Sequence, residues 1–442
     1  MPELQLIDLL IVPQWIVPIY PRATVLEEHA VAVRDGLILD ILPLSEARRS
    51  YTQAESVFLP GHALMPGLIN LHTHAAMSLM RGLADDLPLM RWLNERIWPA
   101  ESSFASEKFV HDGTLLACAE MLRGGTTCFS DMYFYPGAAA AAVERAGMRA
   151  CLGLAVLDFP TPYAADADDY LNKGLAARDA LRNSSHVTTC LAPHAPYTVS
   201  DRTFEKVLTY AEQLNLNIHT HLHETHDELA QSKKQHGMRP LQRMAGLGLL
   251  GPGLIAAHGV HLTTGEIELL AERGCHIAHC PTSNLKLASG TAPVTALLEK
   301  GVNVGLGSDG AASNNRLDMF GEMRLAALLA KGSSGNAETL PAWQAMEMAT
   351  INAARALGMD EQIGTLQPGK YADMVALDLN CLETQPCYDV ISHLVYTAGR
   401  EQVSHVWVAG EPVLKDGQLL SLDPKEILER TKAWQKRLRT TH

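Results

Sequence analysis

Charged residues are scarce in this sequence, and basic residues are outnumbered by acidic ones. Only 19% of its 442 residues are charged, and 49 acidic residues against 36 Lys and Arg give a net charge of −13. The shortage of positive charge argues against nucleic acid or an anionic membrane as a partner, because phosphate groups are bound through clustered Lys and Arg. Together with 47% hydrophobic residues, the low charged fraction excludes long disordered tails and indicates a compact globular protein.

Closely spaced cysteine pairs and a targeting segment are also lacking. The eight cysteines are scattered through apolar runs without a CxxC pair, so we expect reduced, buried thiols. The apolar start of the chain carries Glu3 and Asp8, lacks a basic leading segment and is interrupted by Pro13 and Pro18. This pattern fits neither a signal peptide nor a membrane span, and we expect a cytoplasmic protein.

No periodic repeat or low-complexity linker divides the chain, but its two ends share one pattern. Apolar residues alternate with others around three turn-forming dipeptides, Asp35-Gly36, Ala409-Gly410 and Asp416-Gly417. Such alternation is typical of antiparallel hairpins. The stretch 424–439 then has helical spacing. We expect residues 1–65 and 369–442 to form one small β-sandwich together, with the helix in its C-terminal part.

Residues 66–368 show a different pattern, in which short apolar strands alternate with amphipathic helices. This alternation predicts a (β/α)8 barrel of the TIM type, and thus an α/β fold. Eight segments read as its strands, namely LINLHTH, TTCFSDMY, RACLGLAVLD, VTTCLAPH, NIHTHLHE, LIAAHGV, CHIAHCP and VNVGLGSD.

Polar residues gather at the ends of these predicted strands, where the active sites of such barrels lie. They are His72 and His74 after the first strand, His194 after the fourth, His221 and Glu224 after the fifth, His258 after the sixth and Asp309 after the eighth.

The HxH pair His72 and His74 indicates a metal site. Alternate residues of a strand point to the same face, so the two imidazoles converge, although a pair of hydrogen-bonded core histidines is the alternative. With His221 and Asp309 they offer three imidazoles and one carboxylate, a shell suited to Zn²⁺ or Fe²⁺. A metal in such a shell lowers the pKa of bound water to about 7. Alternation also places His219 on the face of His221, and we interpret it as an interior residue one layer below.

Glu224 follows His221 by three residues, close enough to reach a water molecule at the metal. We interpret it as a general acid and base, a role that a carboxyl group out of bulk solvent can fill. The alternative is a carboxylate at the start of the helix that follows, in the stretch HETHDE.

The chain resembles the amidohydrolase superfamily, and within it the deaminases of 5'-methylthioadenosine and S-adenosylhomocysteine. The resemblance spans nearly the whole chain and rests on LMPGLINLHTHAAMSLMRGLADD, IHTHLHET, AAHGVHL, SNLKLASGTAPV, GLGSDGAASNNRLDMFGEMR and IGTLQPGKYADMVALD.

The resemblance implies a role for each of these site residues. One metal ion is held by the four ligands His72, His74, His221 and Asp309, because His194 stands where binuclear relatives carry a carboxylated lysine. His258 helps to orient water and substrate, His194 and Glu101 contact the substrate, and Glu224 and Asp309 also face it. We expect hydroxide to attack C6 of an adenine while Glu224 protonates N1, with Asp309 helping to pass on the proton of the water; ammonia leaves and an inosine analogue remains.

Methylthioadenosine ranks first among the expected substrates. The homologues bind the carboxylate of S-adenosylhomocysteine through arginines after the third strand, but here that segment has no arginine beyond Arg149 and carries several aspartates that repel a carboxylate. S-adenosylhomocysteine and adenosine stay open as further substrates. The alternatives are a guanine or cytosine deaminase or a chlorohydrolase of the same superfamily, or a barrel that binds without catalysis. We expect a homo-oligomer.

Overall fold

The structure, a computed structural model, describes residues 4–439. Within these residues the chain forms two sheets. The mixed sheet contains β1 (Gln5–Ile16), β2 (Leu26–Glu27), β3 (His29–Arg34), β4 (Leu37–Pro43), β5 (Tyr51–Pro66), β14 (Met374–Asp378), β15 (Val403–Val408), β16 (Glu411–Lys415) and β17 (Gln418–Leu419). The parallel sheet contains β6 (Leu68–Thr73), β7 (Thr126–Tyr133), β8 (Arg149–Val156), β9 (Val187–Pro193), β10 (Ile218–Leu222), β11 (Leu254–His258), β12 (His276–His279) and β13 (Asn303–Leu306).

The mixed sheet joins both ends of the chain. Its strand order is β17-β16-β15-β14-β5-β1-β3-β4, and β2 pairs with β1. β1 and β5 run parallel, whereas β14 pairs antiparallel with β5, with Met374 opposite Pro66. The first and last segments thus build one β structure together, as the sequence predicts, and they do so within a single mixed sheet. We propose that the chain divides into residues 1–65, 66–368 and 369–442.

The three turn-forming dipeptides do what their sequence predicts. Asp35 and Gly36 connect β3 to β4 with φ of 52° and 76°, and the other two dipeptides, which join β15 to β16 and β16 to β17, also have both residues at positive φ. Two successive residues at positive φ give the turn a twist that matches that of the flanking strands. These tight turns set the register of the hairpins.

The parallel sheet is a barrel, as predicted. Its strands follow one another in chain order from β6 to β13, and the backbone N–H of Asp309, just after β13, donates to the carbonyl of His72 in β6 at 2.9 Å. This contact brings the first and last strands together at their carboxyl ends. Side chains on both faces of β6, β7 and β8 are buried, as expected of strands enclosed by helices.

Helices connect the strands and complete the fold. Ser106, Ser200, Thr225 and Thr263 cap the starts of four of them by accepting a backbone N–H, which satisfies donors that the helix leaves free. The helices are α1 (Leu44–Ser50), α2 (Leu89–Trp92), α3 (Trp98–Phe104), α4 (Glu107–Arg123), α5 (Pro136–Ala146), α6 (Ala167–Leu181), α7 (Asp201–Leu214), α8 (His226–His236), α9 (Pro240–Gly246), α10 (Thr264–Arg273), α11 (Pro281–Lys286), α12 (Val294–Glu299), α13 (Met319–Ser334), α14 (Ala342–Met348), α15 (Ile351–Ala356), α16 (Val390–Tyr396) and α17 (Pro424–Leu438).

A buried ion pair ties the amino end of the barrel to the mixed sheet. Arg149 begins β8, and its Nε donates to Oδ2 of Asp373 at 2.8 Å, immediately before β14. The guanidinium also donates to the carbonyl of Ser185 and lies 4.2 Å from the ring centre of Tyr371. Between residues 4 and 439, no helix is long and apolar enough to cross a bilayer.

Candidate metal centre and active site

Four predicted ligands meet at the carboxyl ends of three strands. Nε2 of His74 lies 3.2 Å from Oδ1 of Asp309 and 3.3 Å from Nε2 of His221, and Nε2 of His72 lies 3.5 Å from the same carboxylate oxygen. β6, β10 and β13 thus place residues that are far apart in sequence around one point. The structure brings these four residues together.

Backbone carbonyls orient two of the three imidazoles. Nδ1 of His74 lies 2.7 Å from the carbonyl of Met132, and Nδ1 of His221 lies 2.7 Å from the carbonyl of His194. A carbonyl oxygen only accepts, so Nδ1 donates its hydrogen in both residues. Their Nε2 atoms therefore face the shared point and are the atoms that can offer a metal a lone pair, as histidine ligands of metals do.

The carboxylate of Asp309 is held just as firmly. Its Oδ2 accepts from the hydroxyls of Ser283 at 2.6 Å and Ser313 at 2.7 Å, which leaves Oδ1 facing the histidines. Burial raises the pKa of Asp309, but the neighbouring imidazoles of His72 and His74 outweigh burial and hold the pKa well below its usual range. The group is therefore an anion, the form that binds a metal.

The donor set fits a divalent metal ion. Ligand atoms of His72, His74 and Asp309 all lie within 4.8 Å of one another, as do those of His72, His221 and His258. Among the residues that the structure describes, none hydrogen-bonds the buried Nε2 of His72. Burial lowers the pKa of His72 to about 4, so the imidazole is uncharged at neutral pH and one of its two nitrogens carries a lone pair. A buried polar atom without a partner is costly, and a metal ion would satisfy it.

The pKa of His74 is shifted in the opposite direction to that of His72. Burial lowers its pKa, but hydrogen bonding and charge attraction by Asp309 outweigh burial and raise it to about 9. Without a metal, a proton would thus bridge this pair. Metal binding displaces protons from its ligands, so a cation at this point would take the place of that proton.

Glu224 and His258 form the next layer of the site. Oε2 of Glu224 lies 3.7 Å from Nε2 of His258, whose Nδ1 is 2.8 Å from Oδ1 of Asn284. The hydroxyl of Ser289 donates to Oε1 of Glu224 at 3.4 Å. Burial raises the pKa of Glu224, which keeps a protonated form available nearer to neutral pH.

A second buried carboxylate fixes the backbone that carries Glu224. The two oxygens of Glu228 accept the backbone N–H of His223 at 2.9 Å and of Glu224 at 2.7 Å. His223 has φ of 56°, and His258 and Asp309 have φ of 76° and 61°. Non-glycine residues at such angles are strained and cluster at functional sites. Glu228 thus holds Glu224 on a strained turn between β10 and α8.

One cavity of about 360 Å³ connects these groups. Its inner end is formed by His74, His221, Glu224 and Asp309. Its outer wall is largely apolar and is made by Leu89, Trp92, Leu93, Ile97, Trp98, Leu157, Phe159, Pro160 and Pro162. No Lys or Arg is among the described residues that line it. The cavity therefore suits a ligand with a polar head and an uncharged apolar tail.

Glu101 and His194 also line this cavity. Burial raises the pKa of Glu101 to about 7, although the hydroxyl of Tyr133 opposes the shift. Nδ1 of His194 lies 2.9 Å from Oγ1 of Thr198, and burial lowers the pKa of this imidazole to about 3. The structure thus brings both residues to the same cavity as the metal-binding cluster.

Sequence reasoning did not find several groups that orient the ligands. Ser283, Ser313 and Glu228 gave no signal, because serine and glutamate are common on surfaces and only the fold brings these residues to Asp309 and Glu224. His219 did give a signal, since it alternates with His221. Its contact with His72, at 3.0 Å, links strands 147 residues apart in sequence.

Known proteins share both the sequence and the fold. The profile of the amidohydrolase family matches residues 63–413. A 5-methylthioadenosine/S-adenosylhomocysteine deaminase of Teredinibacter turnerae is 48% identical over 98% of each chain. A solved structure of an adenosine deaminase from Xanthomonas campestris with bound zinc is 48% identical, covers 99% of this chain and 100% of its own, and has a TM-score of 0.98.

A more distant structure shares the fold alone. Atrazine chlorohydrolase of Arthrobacter aurescens, in complex with zinc, is 23% identical with a TM-score of 0.90, and the match covers 96% of this chain and 99% of the other. The family profile and the near full-length identity above establish the kinship of the chain. The chain belongs to the amidohydrolase family, and the two relatives named above that are 48% identical to it are both called deaminases.

Proposed function

We propose that this protein is a metal-dependent hydrolytic deaminase that converts 5'-methylthioadenosine to its inosine analogue and ammonia. The observation that carries the proposal is the convergence of His72, His74, His221 and Asp309 on one point, with Glu224 on the wall of the same cavity. The identity to deaminases over nearly the full chain supports the reaction type. The cavity supports the choice of substrate.

The same four residues would hold the metal through Nε2 atoms and a carboxylate oxygen. We propose zinc rather than iron, because three imidazoles and one carboxylate suit Zn²⁺ and because the similar structure from Xanthomonas holds zinc. When bound, such a cation makes water a nucleophile at neutral pH. The remaining chemistry belongs to the side chains.

Glu224 is the proposed proton carrier. Its raised pKa, caused by burial, lets a protonated carboxyl donate to N1 of the adenine ring as C6 is attacked, and a group that gives a proton can later accept one. His258 lies beside it, held by Asn284, and is placed to orient water and substrate. Asp309 keeps its anionic form and helps to pass on the proton of the attacking water.

The other cavity residues position the nucleoside. We propose that Glu101 accepts hydrogen bonds from ribose hydroxyls, and that His194 binds the substrate from the end of β9. The apolar outer wall then faces the 5' substituent. A methylthio group suits this wall, whereas the carboxylate of S-adenosylhomocysteine would find no Lys or Arg among the described lining residues. Burial of such an unpaired charge is costly.

A substrate panel tests the proposal. Ammonia release is measured with methylthioadenosine, 5'-deoxyadenosine, adenosine, S-adenosylhomocysteine, guanine and cytosine, and chloride release is measured with a chlorotriazine. We expect the highest kcat/KM with methylthioadenosine and a clearly lower value with S-adenosylhomocysteine. Turnover of a free base or of the triazine, without turnover of nucleosides, would favour the alternative hydrolases, and no turnover at all would favour a binding scaffold.

The cellular setting also belongs to the proposal. The negative net charge of −13 supports a partner other than nucleic acid. We propose a homo-oligomer in the cytoplasm, and light scattering of the purified protein measures the number of subunits.

A further inference from the structure

One imidazole outside the predicted ligand set contacts that set directly. His219 is fully buried in β10 and places Nε2 3.0 Å from Nδ1 of His72. Its other ring nitrogen, Nδ1, lies 3.2 Å from Oγ of Ser130 in β7. A chain of three polar side chains thus runs from Ser130 through His219 to His72.

His72 differs from the other two ligand histidines in what determines its tautomer. His74 and His221 face backbone carbonyls, which can only accept, so Nδ1 of each must carry the hydrogen. His72 faces an imidazole nitrogen instead, and this can donate or accept. If His219 donated, His72 would carry its hydrogen on Nε2, and that atom could not bind a metal.

We propose that His219 is a positioning residue whose Nε2 accepts the hydrogen of His72 Nδ1 and so keeps the lone pair of His72 Nε2 for the metal. Ser130 completes the arrangement, because its Oγ lies 3.2 Å from Nδ1 of His219 and accepts the hydrogen that this nitrogen then carries. The inference rests on the proposed metal-dependent function. The observation that supports it is the buried Nε2 of His72, which has no hydrogen-bond partner within residues 4–439.

Zinc affinity measured without substrate tests this inference. The metal-free protein is titrated with zinc against a competing chelator, for the unaltered chain and for three variants. H219F keeps a ring but removes both nitrogens, and we expect affinity to fall about 10- to 100-fold, as for other residues that orient metal ligands. H219Q keeps an acceptor near the position of Nε2 and should stay within about threefold of the unaltered chain.

The matched control is H276F. His276 is also a buried barrel histidine with both ring nitrogens in contact with polar atoms, Pro252 O at 3.0 Å and Asn303 Nδ2 at 2.9 Å. It lies at the opposite end of a strand from the metal centre, so we expect its zinc affinity to equal that of the unaltered chain. Circular dichroism of each metal-free variant shows whether it is folded.

Two results would overturn the inference: a folded H219F that binds zinc as tightly as the unaltered chain, or an H219Q that loses as much affinity as H219F. Should H219F fail to fold, S130A decides, because it deletes one oxygen. A several-fold weaker affinity supports the inference, and an unchanged one overturns it. Unchanged zinc affinity in H219F, beside normal methylthioadenosine turnover by the unaltered chain, would leave the proposed function standing. An unaltered chain that binds no zinc would overturn both.

Discussion

The two ends of the barrel satisfy their buried polar groups differently. At the amino end, Arg149 meets Asp373 and the carbonyl of Ser185, and both ring nitrogens of His276 have polar neighbours. At the carboxyl end, Nε2 of His72 has no hydrogen-bond partner among the described residues, and Nε2 atoms of two other histidines, His74 and His221, lie 3.3 Å apart. These groups at the amino end are satisfied within the protein, whereas the histidine cluster at the carboxyl end needs a ligand.

This difference separates stability from function. A buried polar group without a partner, or two nitrogens in close contact, lowers stability, and such features persist where function requires them. In a barrel of this type the carboxyl ends of the strands carry the chemistry, and the amino ends carry stability. Changes at the two ends should therefore move different measurements.

The largest effect is expected from removal of a ligand at the carboxyl end. H72A deletes the imidazole at the centre of the cluster and should lose both bound zinc and deamination of methylthioadenosine. H276A, the corresponding change at the amino end, should keep both. Elemental analysis and ammonia release measure the two properties. An H72A protein with normal zinc content and turnover would remove the distinction between the ends.

The next effect separates chemistry from metal binding. E224Q should keep zinc but lose turnover by a factor of about a hundred or more, because an amide cannot carry the proton. E228Q keeps one of the two acceptor oxygens of the supporting carboxylate. Its turnover should fall only about tenfold, because Glu228 acts on Glu224 through the backbone. Near-normal turnover in E224Q would contradict the role given to this residue.

At the amino end, the corresponding test concerns stability. D373N removes the negative partner of the buried Arg149, and breaking such a pair costs about 3 to 5 kcal/mol of unfolding free energy. Zinc content and kcat of the folded protein should not change. Denaturant unfolding and turnover are measured on the same sample. A large loss of kcat in folded D373N would show that the two ends are coupled.

The smallest effect is expected for the stability contributed by a carboxylate that lies at neither end of the barrel. Asp112 in α4 is buried and accepts from Trp434 Nε1 at 3.0 Å, Arg430 at 2.6 Å and Lys108 at 3.0 Å. Burial raises its pKa, but the hydrogen bonds from these donors and from His111 outweigh burial and lower it. The stability that this ionised group adds is present above its unfolded pKa of about 4 and is lost as the pH falls through the lower folded value.

D112N should therefore be less stable at neutral pH, by about 1 to 2 kcal/mol, and the difference from the unaltered chain should narrow below about pH 4. Urea unfolding of both proteins at several pH values measures this difference in unfolding free energy. A difference that stays constant with pH would show that packing of α17 on α4, and not charge, is the cause.

The sequence predicts much of the fold because the barrel strands are strongly patterned. All eight predicted strands are present in the parallel sheet, since each is a short apolar run between helices, and the three hairpin dipeptides lie at turns because they tolerate positive φ. The boundaries are less predictable: β5 runs for 16 residues to Pro66, and α4 begins at Glu107, after its cap Ser106, because pairing and capping set these limits.

The site is predictable only in its innermost layer. The HxH pair and Asp309 follow strands, so the barrel rule places them together. Ser283 and Ser313 are invisible in the sequence because their role depends on the distance to one carboxylate oxygen of Asp309. Glu228 is invisible because its role depends on reaching two backbone N–H groups. The tautomer of His72 is a still finer property, since it depends on which atom of His219 faces it.

Reversible removal of the metal tests the central claim most directly. The protein is stripped by a chelator, dialysed, and assayed for ammonia release from methylthioadenosine before and after zinc is added back. We predict that activity disappears with the metal and returns as zinc approaches one ion per chain. Full activity in protein shown by elemental analysis to be free of metal would contradict the account.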